Sequence, residues 1–244
     1  MRRASSTRFI QIVGVTFAVF AAYAGLLCFP TPFFPYIVRA DNLVLHSDRP
    51  FSEPAARSVL KAATAKLATS ALYSSAKEHN IYICNSQWRQ RIFFNKDYGA
   101  GGVAQYPITA NVFLRDARIE DNRLNSPSGT PVMGTRTLDY FVAHEVTHQL
   151  TGEALGPLRF FRLPRWVLEG YADYVGKGNA FDYAETKRAF LAGNAYLDWK
   201  RSGLYLRFHL LVAYLLDHRR MTVHQLLANP PDQAEVEDAV RKEN

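Results

Sequence analysis

Two histidines, His144 and His148, stand four residues apart in the stretch Leu138 to Gly152, LDYFVAHEVTHQLTG. Leu138, Phe141, Val142 and Val146 recur at helical spacing and Gly152 is a natural stop, so the stretch reads as one helix. Residues i and i+4 share a helix face, and both imidazoles leave it together. Two neutral imidazoles at that spacing can hold zinc. Glu145, about 100° round the helix from His144, sets a carboxylate beside the remaining coordination position. A surface helix carrying two solvated histidines would show the same residues. The pattern needs a third ligand before it means chemistry.

That ligand is expected downstream. Pro164 suits a first helical position, and Arg165 to Tyr174, RWVLEGYADY, continues as a second helix. It sets Glu169 and Asp173 four residues apart on one face. A catalytic zinc takes three protein ligands and keeps one position open, and two histidines with a glutamate are one such set. Glu169 is the expected third ligand. Asp173 is expected to accept the free N–H of a ligand histidine, fixing its tautomer. The alternative is an ordinary solvated acidic face, which Trp166, Gly170 and Tyr171 do not suit.

His144-Glu145-x-x-His148 followed by W-x-x-E-G-x-A-x-Y over Trp166 to Tyr174 resembles the gluzincin metallopeptidases. The resemblance implies a thermolysin-like catalytic core with His144, His148 and Glu169 on zinc, Glu145 as general base and Asp173 as their hydrogen-bonding support. It also implies that Asn111, Val112, Phe113 and Leu114, just before the zinc helix, form a strand that pairs with extended substrate backbone. An interior strand with no such role is the alternative. Tyr205, opening the segment Tyr205 to Leu215, takes the place of a tyrosine that points over the metal, with His209 behind it. A tyrosine packed on a helix bundle is the plainer reading. The implied activity is hydrolysis of peptide bonds, with Glu145 moving the proton of a water and Tyr205 donating to the developing oxyanion. Two other readings stay open: a zinc hydrolase of a non-protein amide such as a cell-wall component, and a non-catalytic domain that keeps the fold.

The elements that must position these residues are legible in part. The chain has 244 residues and a formal charge of +7, of which Arg2, Arg3 and Arg8 supply three. The remainder is only mildly basic, and no zinc-finger, basic-helix or phosphate-loop pattern is present, so no nucleic-acid partner is expected. Residues 1–8 are a basic segment, and residues 9–29 run 21 residues without a charge, long enough to cross a bilayer. We read 9–29 as an uncleaved signal-anchor in preference to a signal peptide cut near Ala22-Tyr23-Ala24. Either way the domain lies outside the cytoplasm, anchored or secreted. Cys84 is the one cysteine beyond this segment and reads as a buried apolar residue.

Residues 30–42 read as a linker and 43–244 as the metallopeptidase-like domain. The fold class expected is α+β: a small mixed sheet with a packing helix, then the zinc helix and a mainly helical C-terminal half. Strands are expected at Leu43 to His46, Ile81 to Asn85, Arg91 to Asn95 and Ile108 to Arg115, and a packing helix from Ser52 to about Ser75. Gly99 to Gly102 reads as a turn and Asp121 to Gly134 as a loop leading to Thr137, the expected N-cap of the zinc helix. Leu158 to Arg165, LRFFRLPR, interleaves aromatics with arginines. Those arginines either meet anionic lipid or pair with nearby acids.

Overall fold

The computed structural model describes residues 2–243; Met1 and the side chains of the basic segment expected at 1–8 lie outside the described residues. The chain opens with one long helix, α1 (Arg2–Cys28), whose stretch Gln11–Cys28 is long and apolar enough to cross a membrane. A tight hairpin follows, β1 (Tyr36–Ala40) and β2 (Leu43–Ser47), turned at Asp41 with φ of 53°. The expected linker 30–42 therefore contains a strand. Tyr36-Ile37-Val38 is a β-favouring run whose edge position leaves it partly exposed, which hid its role in the sequence.

Helix α2 (Glu53–Leu67) buries Ala56, Val59, Leu60, Ala63 and Leu67, an i, i+3, i+4 stripe. It ends eight residues before Ser75. Strand β3 (His79–Cys84) comes next, then α3 (Gln87–Phe94), which replaces the strand expected at Arg91 to Asn95. Gln90, Phe93 and Phe94 are its buried residues, a helical spacing that the three-residue apolar run Ile92-Phe93-Phe94 cannot distinguish from a strand. Strands β4 (Gly102–Ala104) and β5 (Val112–Arg115) complete the main sheet, and β6 (Ala117–Arg118) with β7 (Arg123–Leu124) forms a small ribbon. The order is β1-β2-β3-β5-β4, with β2, β3 and β5 parallel and the two edge strands antiparallel.

The period-two alternation of these strands divides the core. Ile81, Ile83, Val112 and Leu114 join α2 and the helical half in the larger cluster. Tyr82, Cys84 and Phe113 face the other way, against Phe93 and Phe94 of α3 and Leu27 at the end of α1.

The remaining helices are α4 (Leu138–Leu155), α5 (Pro157–Phe160), α6 (Arg165–Lys177), α7 (Tyr183–Leu191), α8 (Trp199–Ser202), α9 (Leu206–Ala213), α10 (Val223–Ala228) and α11 (Gln233–Lys242). A π-turn at Tyr214–His218 prolongs α9. The chain is thus an α+β fold with a small mixed sheet, several helices and one apolar N-terminal helix.

Candidate metal centre

Helix α4 lies between the sheet, α2 and α6, and nearly every residue from Leu138 to Gly152 is buried. Burial on nearly all sides makes it a core helix, with His148 the half-buried residue where it meets solvent. Its start is not capped as expected. Thr137 has extended geometry but its side chain caps nothing. Asn122 does so from the β6–β7 turn: its carbonyl accepts from Leu138 N–H and its Oδ1 from Asp139 N–H. Asn122 stands at φ 50°, ψ 44°, a conformation that Asn tolerates better than most residues.

One turn apart on α4, His144 Nε2 and His148 Nε2 are 3.1 Å from each other. Glu169, from the first half of α6, brings Oε2 to 3.5 Å from His144 Nε2 and 3.6 Å from His148 Nε2. A tetrahedral ion with bonds of about 2.0–2.1 Å sets its ligand atoms about 3.3 Å apart. The three separations bracket that figure. These residues form the metal-competent cluster found among the described residues, and its nitrogen and oxygen donors suit zinc.

The carboxylate of Glu169 is held well below its ordinary range. Burial opposes its ionisation, and the His144 and His148 rings outweigh burial. Glu145 is buried on the same cleft wall and its pKa is raised, chiefly by burial and against the opposing pull of His148 and His144.

Asp173 does not reach a ligand histidine directly. Its Oδ1 accepts from the Tyr140 hydroxyl at 2.6 Å, and Tyr140 Oη lies 3.4 Å from His144 Nδ1. The hydroxyl can accept from His144 Nδ1–H while donating to Asp173. That tautomer leaves the His144 Nε2 lone pair directed at Glu169 and His148. Asp173 Oδ2 accepts from Lys177 Nζ at 2.6 Å and pairs with His209 Nδ1 at 3.0 Å. Burial works against ionisation of Asp173, but His209 and the Lys177 cation hold its carboxyl far below the usual range. His148 Nδ1 has no protein partner among the described residues.

Tyr205 precedes α9 and its ring stacks parallel to His144, centroids 6.1 Å apart. Its pKa is pushed up to about 12 by burial and by the Glu169 charge, so its hydroxyl remains a donor at neutral pH. Gly170 is what lets α9 come so close. A Cβ there would lie 2.6 Å from the Phe208 carbonyl oxygen.

A cleft of about 710 Å³ opens over the cluster, bounded by Glu145, His148, Glu169 and Tyr205, by Phe160 and Phe161, and by strand β4. The expected substrate strand is displaced by this geometry. Val112, Phe113 and Leu114 belong to β5, which pairs with β3 on one side and β4 on the other, and all three are fully buried. Asn111 is buried too and donates to the carbonyls of Leu27 and Cys28. The free edge beside the metal ligands is β4. It runs against Glu145 because residue 102 is glycine: a Cβ would stand 2.6 Å from Glu145 Cγ.

Sequence reasoning missed Tyr140, Lys177 and β4. Tyr140 and Lys177 each lie one helical turn from a residue already singled out, His144 and Asp173 respectively, and that spacing was the available signal. Gly99 to Gly102 looked like a plain turn because three glycines carry no strand pattern. No protein-family model matches the chain, and no curated protein matches it, so the reading of this centre rests on its residues and geometry.

Proposed function

We propose that the chain is a membrane-anchored, extracytoplasmic, zinc-dependent metallopeptidase of gluzincin type. The observation that carries this reading is the mutual placement of His144, His148 and Glu169 at tetrahedral spacing with Glu145 beside them on an open cleft. His144, His148 and Glu169 would hold the ion. Bound there, zinc supplies Lewis-acid polarisation of the scissile carbonyl and of the attacking water. Glu145 takes the proton of that water and delivers it to the leaving amine. Tyr205, protonated at working pH, donates a hydrogen bond where negative charge develops on the carbonyl oxygen. Tyr140 and Asp173 keep His144 in one tautomer and one orientation.

The free edge of β4 favours a peptide over other amides. An extended chain can lay its backbone N–H and C=O groups along Gly102–Ala104, in the strand-addition mode. A wall fragment rich in sugar has no comparable row of groups to offer. Tyr23, Leu26 and Leu27 at the end of α1 pack into the domain, which supports an uncleaved anchor over a cleaved signal peptide.

The test is Glu145→Gln on the full chain. It should keep the zinc content of the wild type and lower peptide hydrolysis by on the order of 100- to 10,000-fold, the contribution of a positioned acid–base group. Unchanged turnover would remove Glu145 from the mechanism and the peptidase reading with it.

A further inference from the structure

The uncharged run Phe9 to Phe29 has 21 residues, about 31 Å of helix, which matches a hydrocarbon core of about 30 Å. The structure does not leave that whole length free. Every residue from Gln11 to Ala22 is exposed, whereas from Tyr23 to Cys28 each is half-buried or buried, with Tyr23, Leu26 and Leu27 packed against the domain. Leu27 is fully buried beneath α3 and β5, Tyr23 Oη donates to the Ile92 carbonyl, and Asn111 donates to the Leu27 and Cys28 carbonyls. At most the stretch from Phe9 to Ala22 is left for lipid alone, about 21 Å of helix. The remaining hydrocarbon slab, about 9 Å, can be filled by the part of the domain that surrounds the helix end.

That collar is apolar and it is continuous with the cleft. Phe29 is 77% exposed at the foot of the helix, and Cys28 Sγ contacts the carbonyl of Ile108, itself a partly exposed apolar residue. Tyr106 lies two residues away along the chain, at most about 7 Å. Its ring packs edge-on against Phe160, with centroids 5.1 Å apart, and Phe160 packs in turn on Phe161. Leu158 and Phe161 are 76% and 67% exposed. Arg159 and Arg162, between and beside them, are exposed and take part in none of the described ion pairs, which removes the expectation that they pair with nearby acids. Apolar side chains alternating with unpaired cations suit the interface of an anionic bilayer.

We propose that the domain is seated on an anionic lipid surface through this collar, with Leu158 and Phe161 inserted at headgroup level. Tyr106, Phe160 and Phe161 also line the metal cleft, so the seating brings the cleft mouth to the membrane plane. The seating rests on α1 as a membrane anchor and not on hydrolysis. Under the peptidase reading its consequence is that the accessible substrates are the membrane-proximal segments of anchored proteins.

The test uses the full chain with Cys28→Ser, which keeps a donor for the Ile108 carbonyl; Cys84 is fully buried and stays. Single cysteines are introduced as Phe17→Cys, Leu158→Cys, Phe161→Cys and Asp238→Cys, labelled with a fluorophore, and reconstituted into nanodiscs containing phosphatidylglycerol and nitroxide-labelled lipid. The label at 17 on α1 and those at 158 and 161 should be quenched several-fold more than the label at 238 on α11. Quenching at 17 with labels at 158 and 161 no more quenched than 238 would overturn the seating and leave the anchor standing. No quenching at 17 would overturn the anchor and the seating together. Neither result depends on catalysis, so the peptidase reading is judged separately.

Discussion

At the scale of single residues, the centre is defined by how polar groups are satisfied in a dry helix interface. His144 is oriented through the hydroxyl of Tyr140, and Asp173 is held ionised by Lys177 and His209 with nothing but burial against it. A carboxylate one hydroxyl removed from a ligand histidine still fixes its tautomer, because the tyrosine can accept and donate at once. Tyr140→Phe removes both hydrogen bonds while filling the same volume. It should weaken zinc affinity by roughly 10- to 100-fold, the usual effect of losing a group that orients a ligand, as read by competition with a chromophoric chelator. Affinity equal to the wild type would show that His144 needs no such support. The His144–His148 pair was legible because its spacing is a property of one helix, and Glu169 because it lies in the next periodic helix. Two of Asp173's partners were not, because Tyr140 and His209 reach it from α4 and α9 and only Lys177 lies on its own helix.

At the scale of elements, close approach of backbones decides what the cleft can do. Gly102 lets the β4 edge lie against Glu145, and Gly170 lets α9 carry Tyr205 over the cluster. Gly102→Ala places a methyl 2.6 Å from both Glu145 Cγ and Leu114 Cδ2, so those side chains must shift to admit it. Displacing Glu145 by a fraction of an ångström should cost activity on the order of 100-fold while zinc content stays unchanged. Activity within about 2-fold of wild type would show that β4 is not tightly set against Glu145. The sequence showed long periodic elements well: α2, α4 and α6 lie where their apolar spacing puts them, within a few residues except for the C-terminal end of α2. It was weakest for short ones. Arg91 to Asn95 reads equally as strand or helix at that length, and β1 lies on an exposed edge with little alternation. The assignment of a substrate strand to Asn111 to Leu114 failed because strand order is non-local. Nothing in Val112-Phe113-Leu114 itself says that Gly102–Ala104 will pair outside it.

At the scale of the whole molecule, the sheet is a load carried on both faces. It packs the helices that carry the His144–His148–Glu169 cluster on one side and the end of the apolar N-terminal helix on the other, so that helix and the cleft are built on the same sheet. Two histidines buried in that sheet make its stability depend on pH. His46 and His79 have lowered pKa values, burial being the largest cause in each, against the pull of the hydrogen bonds their rings donate to Asn80 Oδ1 and Gln149 Oε1. A base whose folded pKa lies below its unfolded value of about 6.5 binds its proton less readily in the fold. The unfolded chain then binds more protons as pH falls below about 6.5, and stability present above that pH is progressively lost. The urea midpoint of the full chain in detergent should fall between about pH 7.5 and about pH 5.5, and fall less in His79→Gln. An equal fall in the variant would take His79 out of the pH response. The most direct test of the centre itself is the zinc content of the full chain, purified in detergent without chelator, beside His148→Ala. One tightly held zinc per chain, lost in the variant, is expected; a folded wild type that holds no zinc when zinc is supplied would contradict the metal centre.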